Sequence, residues 1–183
     1  MHIAFLIIAA IVISIVIAVN YFMAVAKREY SDRTEIMVAD TDDASKALIV
    51  YQPGLTEAPK NVAYFIGKGL NESGFEVTIT NPRQDLSGDL SDFSVIVFGM
   101  PNYGSAIPES LSNYLNRIES YEGKCIIIFS TSGGTETTLE LDKLEGLLRG
   151  ETPFAAVKYQ FNDIETIQNK GYSLGKEAAK QCD

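Results

Sequence analysis

Residues 95–104 read VIVFGMPNYG, four apolar and mostly β-branched residues followed by a turn that contains proline and glycine. Continuous rather than alternating hydrophobicity is typical of a strand that is covered on both faces, as in a parallel sheet. Similar short runs occupy residues 47–51, 75–79 and 125–129, of which the second alternates as an edge strand would. The chain is therefore expected to contain at least four strands of a mainly parallel sheet.

Between and after these strands the apolar residues recur at helical spacing. The groups that share a helix face are Val62, Phe65, Ile66 and Leu70; Leu111, Leu115 and Ile118; and Leu141, Leu144 and Leu148. A fifth strand is predicted over residues 155–161, followed by a helix to Gln181 that Asn162 or Asp163 would cap. This alternation predicts a three-layer, doubly wound α/β domain with five parallel strands.

The N-terminal segment from Ile3 to Ala26 is almost wholly apolar, with Ser14 and Asn20 as its polar residues. A helix of that length reaches about 36 Å, enough to cross an apolar bilayer core of about 30 Å. Residues 1–26 are therefore predicted to form a transmembrane anchor. A cleaved signal peptide is the alternative, because residues 24–26 read AVA, but no Lys or Arg precedes an apolar run that is longer than usual for such peptides.

Basic residues follow the apolar segment directly. They are Lys27, Arg28 and Arg33, against only the α-amino group and His2 before it. Because basic flanks tend to stay in the cytoplasm, the chain is predicted to be a single-pass protein of the cell membrane whose domain faces the cytoplasm. Residues 27–45 also contain six acidic residues without helical or strand period. They are predicted to form a flexible acidic linker with a reach of about 25 Å, which leaves residues 46–183 for the domain.

The charge and the scarcity of metal-binding side chains exclude some classes of function. The chain has 24 acidic and 15 basic residues, a formal charge of −9, which disfavours a nucleic-acid partner. One histidine, His2, and two cysteines in unrelated contexts disfavour histidine catalysis and structural zinc. Cys125 lies in an apolar run and Cys182 is next to last, so we expect a core thiol and a tail thiol in a reducing compartment, without a disulfide.

Three loops at the C-terminal ends of predicted strands hold the residues that could bind a ligand. In a doubly wound sheet the ligand crevice lies beyond these ends, where the strand order reverses. The loops read QPGLTEA at 52–58, GMPNYGS at 99–105 and STSGG at 130–134. Glycines let a backbone approach a flat ligand, Tyr103 supplies a planar apolar surface, and the hydroxyls supply hydrogen bonds.

From about Lys46 to the C-terminus, the order of elements and these three loops resemble the flavodoxin family. The resemblance implies the strand order 2-1-3-4-5 and FMN as cofactor, with Tyr103 stacked on the isoalloxazine ring. It implies no catalytic residue and no metal. The residues it implies for FMN are Gly54, Leu55, Thr56, Glu57 and Ala58 at the phosphate; Pro101, Asn102, Tyr103 and Gly104 at the ring; and Ser130, Thr131, Ser132 and Gly133 at its pyrimidine end.

The first loop departs from the family pattern. The corresponding loop of flavodoxins has the pattern [ST]-x-T-G-x-T, whose hydroxyl and N–H groups surround the phosphate at a helix N-terminus. Residues 54–59 read GLTEAP, so only Thr56 keeps the expected type and Glu57 replaces the glycine. A carboxylate beside a phosphate repels it, unless Glu57 points to solvent or Lys60 offsets its charge.

The function that the resemblance implies is that of a membrane-tethered electron carrier. It would bind FMN and pass electrons between redox proteins, themselves membrane-associated, at the cytoplasmic face. The flavin ring performs such chemistry without a protein acid, base or nucleophile, so an electron-transfer protein is expected before a substrate-converting enzyme. The alternatives are a flavin-dependent oxidoreductase of the quinone-reductase kind and a flavodoxin-like binding module that has lost its cofactor.

Overall fold

The computed structural model describes residues 2–27, 34–41, 43–134 and 137–182. All five predicted strands and the four predicted helices of the domain are present. The elements in chain order are α1 (His2–Lys27), β1 (Glu35–Met37), β2 (Lys46–Tyr51), α2 (Ala58–Asn71), β3 (Glu76–Thr80), β4 (Val95–Pro101), α3 (Glu109–Arg117), β5 (Cys125–Ser132), α4 (Leu139–Glu145), β6 (Ala155–Gln160) and α5 (Ile164–Gln181). Asp163 caps α5, since its Oδ1 accepts a hydrogen bond from Thr166 N at 2.9 Å.

The sheet has six strands in the order β1-β3-β2-β4-β5-β6. The five strands β2 to β6 are parallel neighbours, with Ile49 opposite both Ile79 and Val97. These five keep the relative order that the family resemblance implied, 2-1-3-4-5. The prediction of a five-stranded sheet was nevertheless wrong, because β1 adds an antiparallel strand beside β3. The prediction that β3 lies at the edge was wrong for the same reason.

β1 lies in the segment predicted to be a flexible linker, and that prediction was wrong for residues 35–37. The side chain of Asn71, at the end of α2, donates to Met37 O at 3.2 Å and to Val38 O at 3.0 Å. Met37 also packs against the core. A side-chain amide that binds this backbone leaves no period in the sequence of the strand itself, so the pattern of residues 27–45 did not indicate it.

Two apolar layers enclose the sheet. One contains Val62, Ile66 and Ile167 of α2 and α5, and the other contains Leu111 and Leu144 of α3 and α4. Continuous apolar strands thus meet helices on both faces, as their sequence predicted. α2 and α5 approach so closely that a Cβ added at Gly69 would lie 2.2 Å from Tyr172 O, and one added at Gly175 would lie 2.2 Å from Ile66 O.

A disulfide joins Cys125 to Cys182, with 5.7 Å between their Cα atoms. The prediction of two separate thiols was wrong, because α5 runs back along the sheet and brings the C-terminal end of the chain to the start of β5. The disulfide closes a loop of 57 residues. Such a loop restricts the unfolded chain and so stabilises the folded one.

α1 confirms the helix that the sequence predicted over Ile3–Ala26. Ten large apolar side chains between Ile7 and Tyr21 are 52 to 67 % exposed. Within the part of the chain that is described, no helix is both long enough and apolar enough to cross a membrane. The transmembrane role predicted for residues 1–26 is not supported by that finding. Arg28 and Arg33 of the basic flank lie outside the described residues.

Candidate functional site

The three predicted loops lie together at the C-terminal ends of β2, β4 and β5. The chain leaves β2 for β3 on one side and later returns to β4 on the other, so the strand order reverses between these loops. Backbone hydrogen bonds join them: Gln52 N donates to Gly99 O at 2.8 Å and Asn102 N donates to Thr131 O at 2.8 Å. The three loops that were predicted to flank a ligand crevice are therefore neighbours at one edge of the sheet.

Tyr103 reaches across the crevice to the first loop. Leu55 N donates a hydrogen bond to Tyr103 Oη at 2.6 Å. Gly54 makes this approach possible, because a Cβ there would lie 2.9 Å from Tyr103 Oη and 3.1 Å from Cβ of the buried Pro101. The tyrosine thus links the first two loops. Its hydroxyl accepts a hydrogen bond from one of the N–H groups that the family pattern assigns to a phosphate.

The start of α2 satisfies its own polar groups. Thr56 Oγ1 accepts from Ala58 N at 3.4 Å. Glu57 is the residue before the helix, and its side chain caps no N–H group. Its carboxylate lies 3.3 Å from Lys60 Nζ and is 72 % exposed. Pro59, the second residue of the helix, has no N–H to donate.

The second loop is shaped by its own side chains. Asn102 Oδ1 accepts from Ser105 N at 2.8 Å, which closes the turn. Gly104 has φ of 69°, a left-handed conformation that glycine tolerates best. Lys143 Nζ donates to Ser105 O at 2.8 Å and ties the loop to α4. Asn102 and Gly104 therefore lie in the turn after β4, and the side chain of Asn102 stabilises that turn.

Ser130 belongs to a buried polar network. Its Oγ donates to Glu140 Oε1 at 2.8 Å, and Lys158 Nζ lies 2.8 Å from the same oxygen. Burial of Glu140 raises its pKa, but the hydrogen bonds from Lys158 and Ser130 outweigh this effect, and its pKa lies below the ordinary value. Thr137 O accepts from Lys158 Nζ as well. The hydroxyl of Ser130, which was predicted to bind the pyrimidine end of the flavin, is therefore bonded within the protein, and the prediction itself stays a prediction.

Little in the sequence indicates the network of Ser130, Glu140 and Lys158. An acidic residue in the first turn of a helix is ordinarily a solvent-exposed partner of the helix dipole. Glu140 is instead fully buried. Its partner Lys158 lies on a different element, β6, and spacing along the chain does not relate the two.

Ser132 offers an unused hydrogen-bonding group. It is 4 % exposed, and among the described residues its Oγ has no partner. The next residue, Gly133, lies against the ring of Phe161, since a Cβ at Gly133 would be 2.5 Å from Phe161 Cε1. Thr131 is buried beside them. An unsatisfied buried hydroxyl costs about 1–3 kcal/mol, so a ligand atom that bonds it here would be favoured.

Asn81 is a second such group, which the sequence reasoning missed. It follows β3 at the same edge of the sheet and is 1 % exposed. Its Nδ2 donates to Tyr51 O at 2.9 Å, whereas Oδ1 has no partner among the described residues. An amide residue directly after a strand was the signal that could have indicated it.

The residues fit the two ends of a flavin unequally. At the ring end, Ser132 supplies a free hydroxyl and Tyr103 an aromatic surface. At the phosphate end, the N–H groups of Leu55 and Ala58 already have acceptors within the protein. The crevice therefore suits a planar ligand with a polar edge better than it suits a phosphate.

Cavities and metal-binding groups elsewhere in the described chain provide the comparison for these loops. No group of three or more His, Cys, Asp and Glu side chains among the described residues could hold a metal ion. A cavity of about 570 Å³ lies between the first strand and α2. Its lining residues are Thr34, Glu35, Tyr51, Lys60, Asn61, Tyr64 and Ile79.

Comparison with known proteins finds similarity in structure alone. No family model and no curated sequence matches the chain. The flavodiiron core of Flv1 from Synechocystis superimposes with a TM-score of 0.64 at 16 % identity, over 78 % of this chain and 38 % of that one. Oxidised Flavodoxin 2 from Bacillus cereus superimposes with a TM-score of 0.60 at 17 % identity, over 73 % and 99 %.

A third solved structure is the NAD(P)H:quinone oxidoreductase from Methanothermobacter marburgensis, with a TM-score of 0.52 at 12 % identity over 76 % of this chain and all of that one. The chain thus spans little more than a third of the flavodiiron core but nearly the full length of the two smaller proteins. At these identities the likeness concerns architecture. The chain has a flavodoxin-like fold.

Proposed function

We propose that this chain is a flavin-binding electron carrier whose flavodoxin-like domain is attached to a membrane by α1. The observation that carries the flavin proposal is the buried hydroxyl of Ser132 near the ends of β2, β4 and β5, which has no partner in the described part of the chain. FMN is the flavin that the family resemblance implies. When bound, a flavin supplies one- and two-electron redox chemistry that no side chain offers.

The residues of the chain would bind and orient the ring. Ser132 Oγ would bond a nitrogen or oxygen at its polar edge, and the ring of Tyr103 would cover an apolar face. Glu57 and the net negative charge of the chain would disfavour the addition of electrons and so lower the reduction potential. No residue of the crevice needs to act as an acid, a base or a nucleophile in this role.

The attachment to a membrane is supported by the surface of α1. Ten large apolar side chains between Ile7 and Tyr21 are exposed, which is unfavourable in water. The two polar side chains of its apolar segment bond within the helix, as a lipid environment requires: Ser14 Oγ donates to Ala10 O at 2.9 Å, and Asn20 Nδ2 donates to Val16 O at 2.8 Å.

We place the domain on the cytoplasmic side, where membrane-associated redox proteins would meet it at high effective concentration. The basic residues Lys27, Arg28 and Arg33 support this side. The Cys125–Cys182 disulfide opposes it, because disulfides persist mainly in oxidising compartments. Labelling intact cells with a membrane-impermeant lysine reagent decides between the two sides. A cytoplasmic domain is expected to stay unlabelled until the cells are broken.

Extraction of membranes at alkaline pH tests the attachment. Full-length chain is expected to stay with the membrane pellet, whereas the double variant Ile13→Lys/Ile17→Lys is expected in the supernatant because two charges are costly in the bilayer core. Recovery of the unmodified chain in the supernatant would contradict the attachment.

Quenching of flavin fluorescence tests the cofactor. Purified full-length chain in detergent is titrated into FMN and, separately, into riboflavin. Saturable binding of one flavin per chain is expected, and Ser132→Ala should weaken it about tenfold, the loss of one hydrogen bond. Ser173→Ala, on the exposed surface of α5, serves as the control. A folded chain that quenches neither flavin would refute the proposal.

One observation favours a second candidate, a binding module without cofactor. The Leu55–Tyr103 and Ser130–Glu140 hydrogen bonds satisfy parts of the crevice from within the protein. For such a module, the absence of flavin binding by a cooperatively folding chain is the expected result.

A further inference from the structure

We infer that the crevice selects flavins that lack the terminal phosphate, so that riboflavin binds more tightly than FMN. The inference rests on the proposed flavin site and concerns which chemical form of flavin that site accepts. It is carried by the hydrogen bonds and charges at the start of α2.

The first step concerns hydrogen-bond donors. An anion at a helix N-terminus is held by N–H groups that the helix itself leaves unpaired. Here Leu55 N donates to Tyr103 Oη at 2.6 Å, and Ala58 N donates to Thr56 Oγ1 at 3.4 Å. Pro59 has no N–H group. A phosphate bound at these three residues would displace two internal acceptors and would find no donor at the third.

The second step concerns charge. Lys60 is the only basic residue in the segment 52–61. Its Nζ lies 3.3 Å from Glu57 Oε2, so the cation of this segment is already paired with a carboxylate. The segment as a whole has no net charge with which to attract a phosphate dianion, and Glu57 repels one.

The third step concerns a neutral tail. Tyr103 Oη, the acceptor at Leu55 N, is an uncharged hydroxyl, and the ribityl chain of riboflavin carries hydroxyls of the same kind. Exchange of one hydroxyl for another at this position adds no charge to the start of α2. The ring end is common to both flavins, and Ser132 can serve it equally in either case.

The experiment compares two probes on the full-length chain in detergent. Dissociation constants of riboflavin and FMN are measured by fluorescence quenching at low and at physiological ionic strength. At low ionic strength riboflavin is expected to bind at least about threefold more tightly than FMN, and the difference should shrink as salt screens the repulsion.

Two variants locate the cause. Glu57→Gln should tighten FMN about threefold more than it tightens riboflavin, because it removes one like charge. Tyr103→Phe frees Leu55 N–H, and it should also shift the preference towards FMN. Glu177→Gln makes the same change of charge on an exposed part of α5 near Cys182 and should leave the ratio unchanged. Circular dichroism verifies that each variant is folded.

The outcomes separate the two proposals. The inference would be overturned if FMN bound as tightly as riboflavin or more tightly. It would also be overturned if Glu57→Gln altered both affinities equally. Either result would leave the proposed flavin site intact. Binding of neither flavin to the folded chain would refute the proposed function itself.

Discussion

Backbone hydrogen bonds join neighbouring strands at both ends of the sheet. At the N-terminal ends of the parallel strands, which we call the closed edge because of the disulfide there, they run from Ser94 N to Lys46 O at 2.9 Å and from Cys125 N to Ser94 O at 2.9 Å. The disulfide to Cys182 reinforces this closed edge. At the C-terminal ends, which we call the open edge, Ser132 and Asn81 retain buried polar atoms without partners among the described residues. The difference teaches that this fold separates stability from binding: changes at the closed edge should alter unfolding, and changes at the open edge should alter ligand affinity.

The largest effect is expected from Cys182→Ser, which removes the disulfide at the closed edge. The bridge spans 57 residues, and the loop-entropy relation gives about 4 kcal/mol for a loop of that size. Urea unfolding followed by tyrosine fluorescence measures this loss of the free energy of unfolding. Flavin affinity of the folded variant should stay within about twofold, because the bridge is at the opposite edge from the crevice. A strong loss of affinity at unchanged stability would break the comparison.

Glu140→Ala is expected to cost about 3 kcal/mol of unfolding free energy, because it leaves Lys158 without its buried carboxylate. This variant sharpens the comparison, since Glu140 lies beneath the open edge and yet has a structural role. Asp142→Ala, on the exposed face of the same helix, is the control and should change stability by no more than about 0.5 kcal/mol. Equal effects of the two substitutions would show that the network does not stabilise the fold.

A smaller effect is expected from acid pH. The pKa of Glu140 is lower in the folded chain than its ordinary value of 4.5, so the folded state favours the ionised carboxylate. The resulting stabilisation is complete above that value and is lost as the pH falls through the folded-state pKa. Below pH 4.5, as the pH falls through the folded-state pKa, the wild-type chain should therefore lose more of its free energy of unfolding than Glu140→Ala does. Parallel pH profiles of the two proteins would contradict this assignment.

The residues that pack the sheet could be predicted because their pattern is local. Continuous apolar runs such as Val95–Phe98 are covered on both faces, and the parallel ends that follow them must meet at one edge. This reasoning predicted that the three loops lie together at that edge.

The remaining features depend on contacts between distant parts of the chain. β1 is held by the amide of Asn71, the disulfide forms because α5 returns Cys182 to β5, and Glu140 meets Lys158 on another strand. The sequence around the two serines does not distinguish them. The hydroxyl of Ser130 donates to Glu140, whereas that of Ser132 has no partner among the residues that the structure describes. Residue type indicates which bonds a side chain can make, and only the fold determines its partner.

Amide chemical shifts of the labelled full-length chain, recorded as riboflavin is added, test the central claim most directly. Flavin binding at the open edge should shift the amides of residues 54–58, 102–105 and 130–134 most, and should leave those of Ser94 and Cys125 at the closed edge unchanged. The claim would be contradicted if the largest shifts fell at Thr34, Glu35 and Tyr64, which line the separate cavity. It would also be contradicted if the spectrum of the folded chain did not change at all.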